Sequence, residues 1–201
     1  MGMTPIAIAT EDQLSEALAL RLIAELPGPH EVTHVLRKGG SGYLRSKMDS
    51  WSQMAQHRVM LVLTDLDKVE CAAELRRQWF AARVVPDRLL LRVAVREVES
   101  WVLADELAVR ALVGSKGTVP SAPDALPDPK QALLQLAKSA SRSVRDDLTR
   151  MAGGQLVQGL GYNARLALWV SSEWDPRRAA ERSPSLARAR KRLREAVGAF
   201  G

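Results

Sequence analysis

Cysteine occurs once in this chain, at Cys71. A single thiol excludes an internal disulfide and any zinc cluster built on thiolates. Histidine is nearly as scarce: His30, His34 and His57 are the full set. None of them shares a helical face with a carboxylate at the spacing a zinc hydrolase requires; His30 and His34 flank an apolar run and read as structural. No apolar run approaches the length that crosses a bilayer, so no membrane partner is expected. The opening "MGMTPIAIATEDQ" is too briefly apolar and too soon acidic for a secretory signal. Ile6 stands where a myristoylation signal needs a hydroxyl. These absences predict a cytoplasmic protein. Internal repeats and low-complexity tails are missing as well.

What is present is an ordinary globular composition, 46% hydrophobic and 26% charged over 201 residues. That length suits one domain with a full core. The net charge is +6, and its placement is uneven. Residues 101–201 hold 16 of the 29 Lys and Arg but 10 of the 23 Asp and Glu, leaving 13 of each in residues 1–100. A basic half beside an acidic cluster suits a polyanionic substrate held by its phosphates. The plain alternative is a solvated, Arg-rich helix surface.

Strand and helix signals alternate over the first hundred residues. "PIAIAT" (Pro5–Thr10) is a short apolar run, and Leu14, Leu18, Leu22 and Leu26 then recur at helical spacing. Pro27–Pro29 stops that helix. Glu31–Leu36 reads as a second strand, Arg37–Gly42 as a loop, and "YLRSKMDSWSQMAQH" as one helix. Arg58–Thr64 is a third strand, "VECAAELRRQWFAAR" a third helix, and Asp87–Val95 a fourth strand. After Arg96 the strand signal ends. "ESWVLADELAVRALVG" predicts a helix stopped by Gly114, Ser115–Pro129 a Pro-rich loop, and three or four more helices follow, with Pro129 and Pro184 near two of their starts. Trp101, Trp169 and Trp174 fall in helical patterns and read as core. The expected fold is α/β: a parallel four-stranded sheet flanked by helices, with residues 1–113 as core and 114–201 as a helical C-terminal elaboration packed upon it.

Carboxylates crowd one end of that sheet. Ligands of parallel sheets collect beyond the carboxyl ends of the strands. Glu11 and Asp12 follow the first strand, Asp65 and Asp67 the third, and Glu97 and Glu99 the fourth. One such acid is explained as a helix cap or as a complement to the helix dipole. So many on one edge repel one another unless a cation neutralises them. Oxygen donors select Mg²⁺ or Mn²⁺ over zinc, so Glu11, Asp65, Asp67, Glu97 and Glu99 are the expected metal ligands.

The order Glu11, Asp65-Leu66-Asp67, Glu97-x-Glu99 resembles the Toprim domain shared by topoisomerases, bacterial primases and the OLD-family nucleases. Glu11 and Asp65 stand 54 positions apart, close to that family's spacing. The wording "GSGYLRSKM", "VLTDLDKVECAAEL", "RVAVREVESWVLAD" and "DPKQALLQLA" also looks like a small prokaryotic family of stand-alone Toprim-like proteins. The resemblance covers most of the chain. It implies a Toprim-like sheet and Mg²⁺- or Mn²⁺-dependent phosphodiester hydrolysis on DNA or RNA, in the setting of anti-phage defence and with a partner ATPase. Under it Glu11, Asp65, Asp67 and Lys130 are the catalytic set. Asp12 departs from the pattern, since many Toprim domains have glycine there.

Other groups qualify for contact with a nucleic-acid backbone: Lys38, Arg45 and Lys47 around "KGGSGYL", and Arg96 beside Glu97. That glycine loop lacks the Gly-Lys-Ser/Thr ending of a Walker motif, so ATP hydrolysis is not expected. "GLGYN" (Gly159–Asn163) reads as a turn before a helix. Three competing readings remain open. In a haloacid-dehalogenase-type phosphatase Asp65 is a nucleophile and Glu11 is idle. In a receiver module Asp65 is a phosphoacceptor. In a non-catalytic Toprim-like subunit the chain binds nucleic acid or an ATPase and does no chemistry alone.

Overall fold

The computed structural model describes residues 2–81 and 83–199. Its first half runs β1 (Thr4–Thr10), α1 (Gln13–Ile23), β2 (His30–Arg37), α2 (Ser41–Ser46), α3 (Met48–Met54), β3 (Val59–Asp65), α4 (Ala72–Phe80) and β4 (Leu89–Ala94). The four strands form one parallel sheet in the order β2-β1-β3-β4. Strand side chains alternate between faces, and both faces are buried. Ile6, Ile8, Val59, Leu61 and Leu63 point into one apolar cluster, while Ala7, Ala9, Met60 and Val62 point into the other. The near-continuous apolar runs of β1 and β3 follow from this, because a central parallel strand has no wet side.

The smaller cluster is closed by α2, α3 and α4 through Leu44, Met48, Trp51, Leu75, Trp79 and Phe80. The larger one is closed by α1 and by the second half of the chain: α5 (Glu99–Ala104), α6 (Glu106–Val113), a 3₁₀ turn (Pro123–Ala125), α7 (Pro129–Ala137), α8 (Arg142–Leu148), the strands β5 (Thr149–Ala152) and β6 (Gln155–Gln158), α9 (Tyr162–Ser172), α10 (Pro176–Arg182) and α11 (Pro184–Gly198). α9 packs on α1, and α11 lies against β4 and β3. Trp101, Trp169 and Trp174 are core residues. No helix among the described residues is long and apolar enough to cross a membrane.

The expected elements differ from the observed ones in several places. The helix expected over 43–57 is two helices that meet at Lys47, whose backbone (φ −103°, ψ 12°) is not helical. The helix expected over 99–114 is broken at Asp105. That side chain is buried, where it accepts from the Ala108 and Asp175 amides and from Arg178. Satisfying these donors needs a residue outside the helix, and the apolar periodicity runs through regardless. The strand signal does not end at Arg96: β5 and β6 form a small antiparallel hairpin turned by Gly153 and Gly154, both at positive φ. The described part of the third helix is shorter than expected, and Ala82 lies outside the described residues, as do 200 and 201 of the expected extension.

Candidate functional site

The carboxyl ends of β1, β3 and β4 meet at one edge because the sheet is parallel and in register there: Asp65 pairs with Ala94, three residues beyond the pairing of Ala9 with Val62. Glu11 follows β1 and reaches across to β3. Its Oε1 accepts from Thr64 Oγ1 at 2.5 Å and from the Asp65 amide at 3.3 Å. Burial raises the Glu11 pKa above its usual value, those two hydrogen bonds oppose the rise, and Asp67 and Asp12 add to it. Asp12 is the N-cap of α1, accepting from Ser15 N at 2.8 Å.

Asp65 ends β3, and its Oδ1 accepts from the Val98 amide at 2.9 Å. Burial pushes its pKa well above the carboxylate range; Glu99 and Glu11 push the same way, Lys130 opposes, and Asp67 adds a further push. Asp67 takes a left-handed conformation, φ 51°, which aspartate tolerates better than most residues. The amides of Leu66 and Asp67 both donate to Arg96 O, at 2.9 and 3.0 Å. Arg96 Nη1 returns to Asp67 O and Val69 O, at 3.2 and 2.7 Å. Arg96 therefore fastens the loop after β3 to the loop after β4. It also lines a cavity of about 940 Å³ together with Asp67, Glu97, Arg77 and Asp128.

Glu97 and Glu99 meet Lys130 at the start of α7. Glu97 Oε2 accepts from the Lys130 amide (3.1 Å) and Oε1 from Lys130 Nζ (3.2 Å). The same ammonium lies 3.6 Å from Glu99 Oε1. Glu99, the first residue of α5, is only 2% exposed. Its Oε1 accepts from Tyr162 OH at 2.9 Å, whereas its Oε2 is buried without a partner among the described residues. Burial carries Glu99 to about 7, against the pull of Lys130 and with a push from Glu97. Burial alone would lower the Lys130 ammonium, but Glu99 and Glu97 outweigh it and hold it above its ordinary value. Burial and then Glu99 keep the Tyr162 phenol well above its own.

Five expected acids and the expected lysine are thus linked by contact or by electrostatic coupling. Lys38 stands near them, since its amide donates to Thr10 O at 3.4 Å, while its Nζ lies 5.1 Å from the Tyr43 ring centre. Arg45 turns to Gln78 O (3.4 Å), and exposed Lys47 sits between α2 and α3. Two members were not read from the sequence: Thr64, hidden as a strand residue, and Tyr162, hidden in the "GLGYN" turn. No local pattern announces a tyrosine that meets a glutamate 63 positions away.

Among the described residues no group of three or more His, Cys, Asp or Glu side chains is arranged to hold a metal ion. Lys130 sits between Glu97 and Glu99 instead. The donor set still suits a hard divalent cation. Every candidate ligand is a carboxylate oxygen, Asp65 is crowded by three further acids, and Glu99 Oε2 is a buried acceptor with no donor among the described residues. Crowded, buried carboxyl groups are costly to ionise unless a cation compensates them.

No protein-family model matches the chain, and no curated protein matches it. Among solved structures, the C-terminal region of the Burkholderia pseudomallei OLD protein is similar over 96% of this chain and 98% of that one. The identity is 14% and the TM-score 0.49, too low to bear on activity.

Proposed function

We propose that this chain is a Mg²⁺- or Mn²⁺-dependent phosphodiesterase acting on DNA or RNA, with a Toprim-like arrangement of acids. The observation that carries the reading is the convergence of Glu11, Asp65, Asp67 and Glu99 from three strand ends, in which Glu99, Glu11 and Asp67 all make Asp65 harder to ionise. Folding alone gains nothing from that arrangement. Asp65, Glu99, Glu11 and Asp67 would hold the ion, which when bound supplies Lewis-acid charge for hydrolysis at a phosphodiester. The chain's own residues prepare the place. The Val98 amide orients Asp65, Thr64 and the Asp65 amide orient Glu11, and Tyr162 orients Glu99. Lys130, partly exposed beside Glu97, offers positive charge to a phosphate oxygen.

The test incubates purified protein with single- and double-stranded DNA and with RNA, in Mg²⁺, Mn²⁺ or EDTA. Cleavage is expected with a divalent ion and not in EDTA, and Asp65→Asn is expected to slow it by at least about 100-fold. Absence of cleavage on every substrate, with no calorimetric signal for either ion, would overturn the reading. A second reading is favoured by Lys130, which already neutralises two of the acids: a subunit that binds nucleic acid without cutting it. The same assay separates the two, because that subunit shifts an oligonucleotide and leaves it intact. Anti-phage defence and a partner ATPase rest on the sequence resemblance alone.

A further inference from the structure

Four guanidinium groups gather at the other side of β4, the outer strand of the sheet. Arg92 lies on the face covered by α11, since its neighbours Leu90 and Ala94 share a cluster with Leu186, Ala189 and Leu193. Arg188 and Arg192 are exposed on α11, one turn apart. Arg76 comes from α4 on the opposite face; its Nη1 donates to Leu91 O at 3.0 Å, and its guanidinium lies 5.1 Å from the Phe80 ring centre.

Negative charge is short here. Glu195 is the acid that acts on Arg92, and it is already engaged by Arg192 and approached to 4.0 Å by Lys191. Arg92 Nε is buried with no partner among the described residues. Burial, then Arg76, Arg192 and Arg188, bring the Arg92 pKa down to about 10. Arginines also protect an exposed sheet edge from pairing with another strand. That role accounts for Arg76 on Leu91 O, but not for a buried donor left unpaired. The patch is continuous with the acidic end, because Arg188 lines a cavity of about 890 Å³ together with Asp67, Lys68 and Arg96.

We propose that Arg76, Arg92, Arg188 and Arg192 form a phosphate-binding patch that seats the backbone of a nucleic-acid strand on the β4 edge and directs it past Arg188 toward Asp67. Guanidinium groups suit this ligand because their paired N–H groups match two phosphate oxygens. The strand's destination rests on the function proposed above, whereas the binding does not.

The test is fluorescence anisotropy of labelled single-stranded DNA and RNA in EDTA, titrated between about 50 and 200 mM salt. Arg188→Ala/Arg192→Ala, both on the exposed side of α11, is expected to weaken binding roughly tenfold and to lower the salt slope by about one to two. Lys116→Ala/Lys138→Ala removes the same charge from exposed positions elsewhere and is expected to keep the wild-type slope. Circular dichroism verifies that both variants are folded. The proposal is overturned if wild-type protein binds no oligonucleotide, if the arginine variant keeps its affinity and slope, or if the lysine variant loses as much. Binding to phosphatidylserine vesicles but not to oligonucleotides overturns it too. Intact binding without cleavage in Mn²⁺ removes the nuclease reading and leaves the patch standing; cleavage by an arginine variant of undiminished affinity does the reverse.

Discussion

Glu99 is a carboxyl group with one oxygen held by Tyr162, the other without a hydrogen-bond partner among the described residues, and a pKa carried by burial from 4.5 to about 7. Its sign in the stability of the metal-free protein is fixed by linkage. Between those two values the folded chain keeps a proton that the unfolded chain releases, so stability falls as pH rises through that window. Urea unfolding in EDTA should show wild type losing on the order of 3 kcal/mol through this group from about pH 5 to about pH 7.5. Asp65, raised for the same physical reason, adds a loss of the same direction. Glu99→Gln should therefore flatten part of the profile and not all of it. Equal slopes for the two proteins would mean that Glu99 ionises as it does in water. Glu11 separates the chemical readings: Glu11→Gln should cut phosphodiester cleavage at least about tenfold, measured as initial rate in Mn²⁺. A dehalogenase-type phosphatase centred on Asp65 would not respond to that change.

At the scale of elements, Tyr162 reaches Glu99 because α9 begins where "GLGYN" lets the chain pass very close to α8. Gly159 N donates to Leu148 O at 2.9 Å, and a Cβ on Gly159 would stand 2.3 Å from the Asp147 carbonyl oxygen. Gly159→Ala should therefore cost about 1–3 kcal/mol, read from thermal or urea unfolding. It should also lower cleavage beyond what that loss explains, since α9 then carries Tyr162 away from Glu99. A variant as stable and active as wild type would show that the close approach relaxes without consequence. The same segment marks where the sequence stops being legible. The four parallel strands were readable because β1 and β3 are apolar runs between helix signals, and the acids because their spacing is simple. The β5–β6 hairpin escaped notice, although Gly153-Gly154 is a strong hairpin signal, because four-residue strands bearing Arg150, Gln155 and Gln158 bury little. The break at Asp105 escaped because its cause, Arg178 and the Asp175 amide, lies about seventy residues downstream. Long-range partners of this kind, Tyr162 among them, leave no local trace.

Across the whole molecule, residues 1–113 and 114–201 share one apolar cluster: Ile6, Ile8, Leu14 and Leu18 belong to it along with Leu166, Val170, Trp174, Leu186 and Leu193. Buried hydrogen bonds cross the same boundary, from Trp101 Nε1 to Ser185 Oγ (2.7 Å) and from Trp174 Nε1 to Trp101 O (3.0 Å). Arg190 clamps Glu25 at the end of α1 through two bonds of 2.5 and 2.7 Å. Each buried leucine of α11 contributes about 1.5–3 kcal/mol, so Leu186 and Leu193 alone match a large share of the 5–15 kcal/mol or so that holds a typical domain together. The C-terminal helices thus supply the lid of the core. It follows that the full chain should unfold in one transition, with tryptophan fluorescence and far-ultraviolet circular dichroism coincident in urea. A 1–113 fragment, stripped of that lid, should show no cooperative transition. Two separated transitions in the full chain, or a cooperative 1–113 fragment, would mean that the parallel sheet and its acids stand without the helices, and that Lys130 and Tyr162 are brought to the site by docking of a second unit.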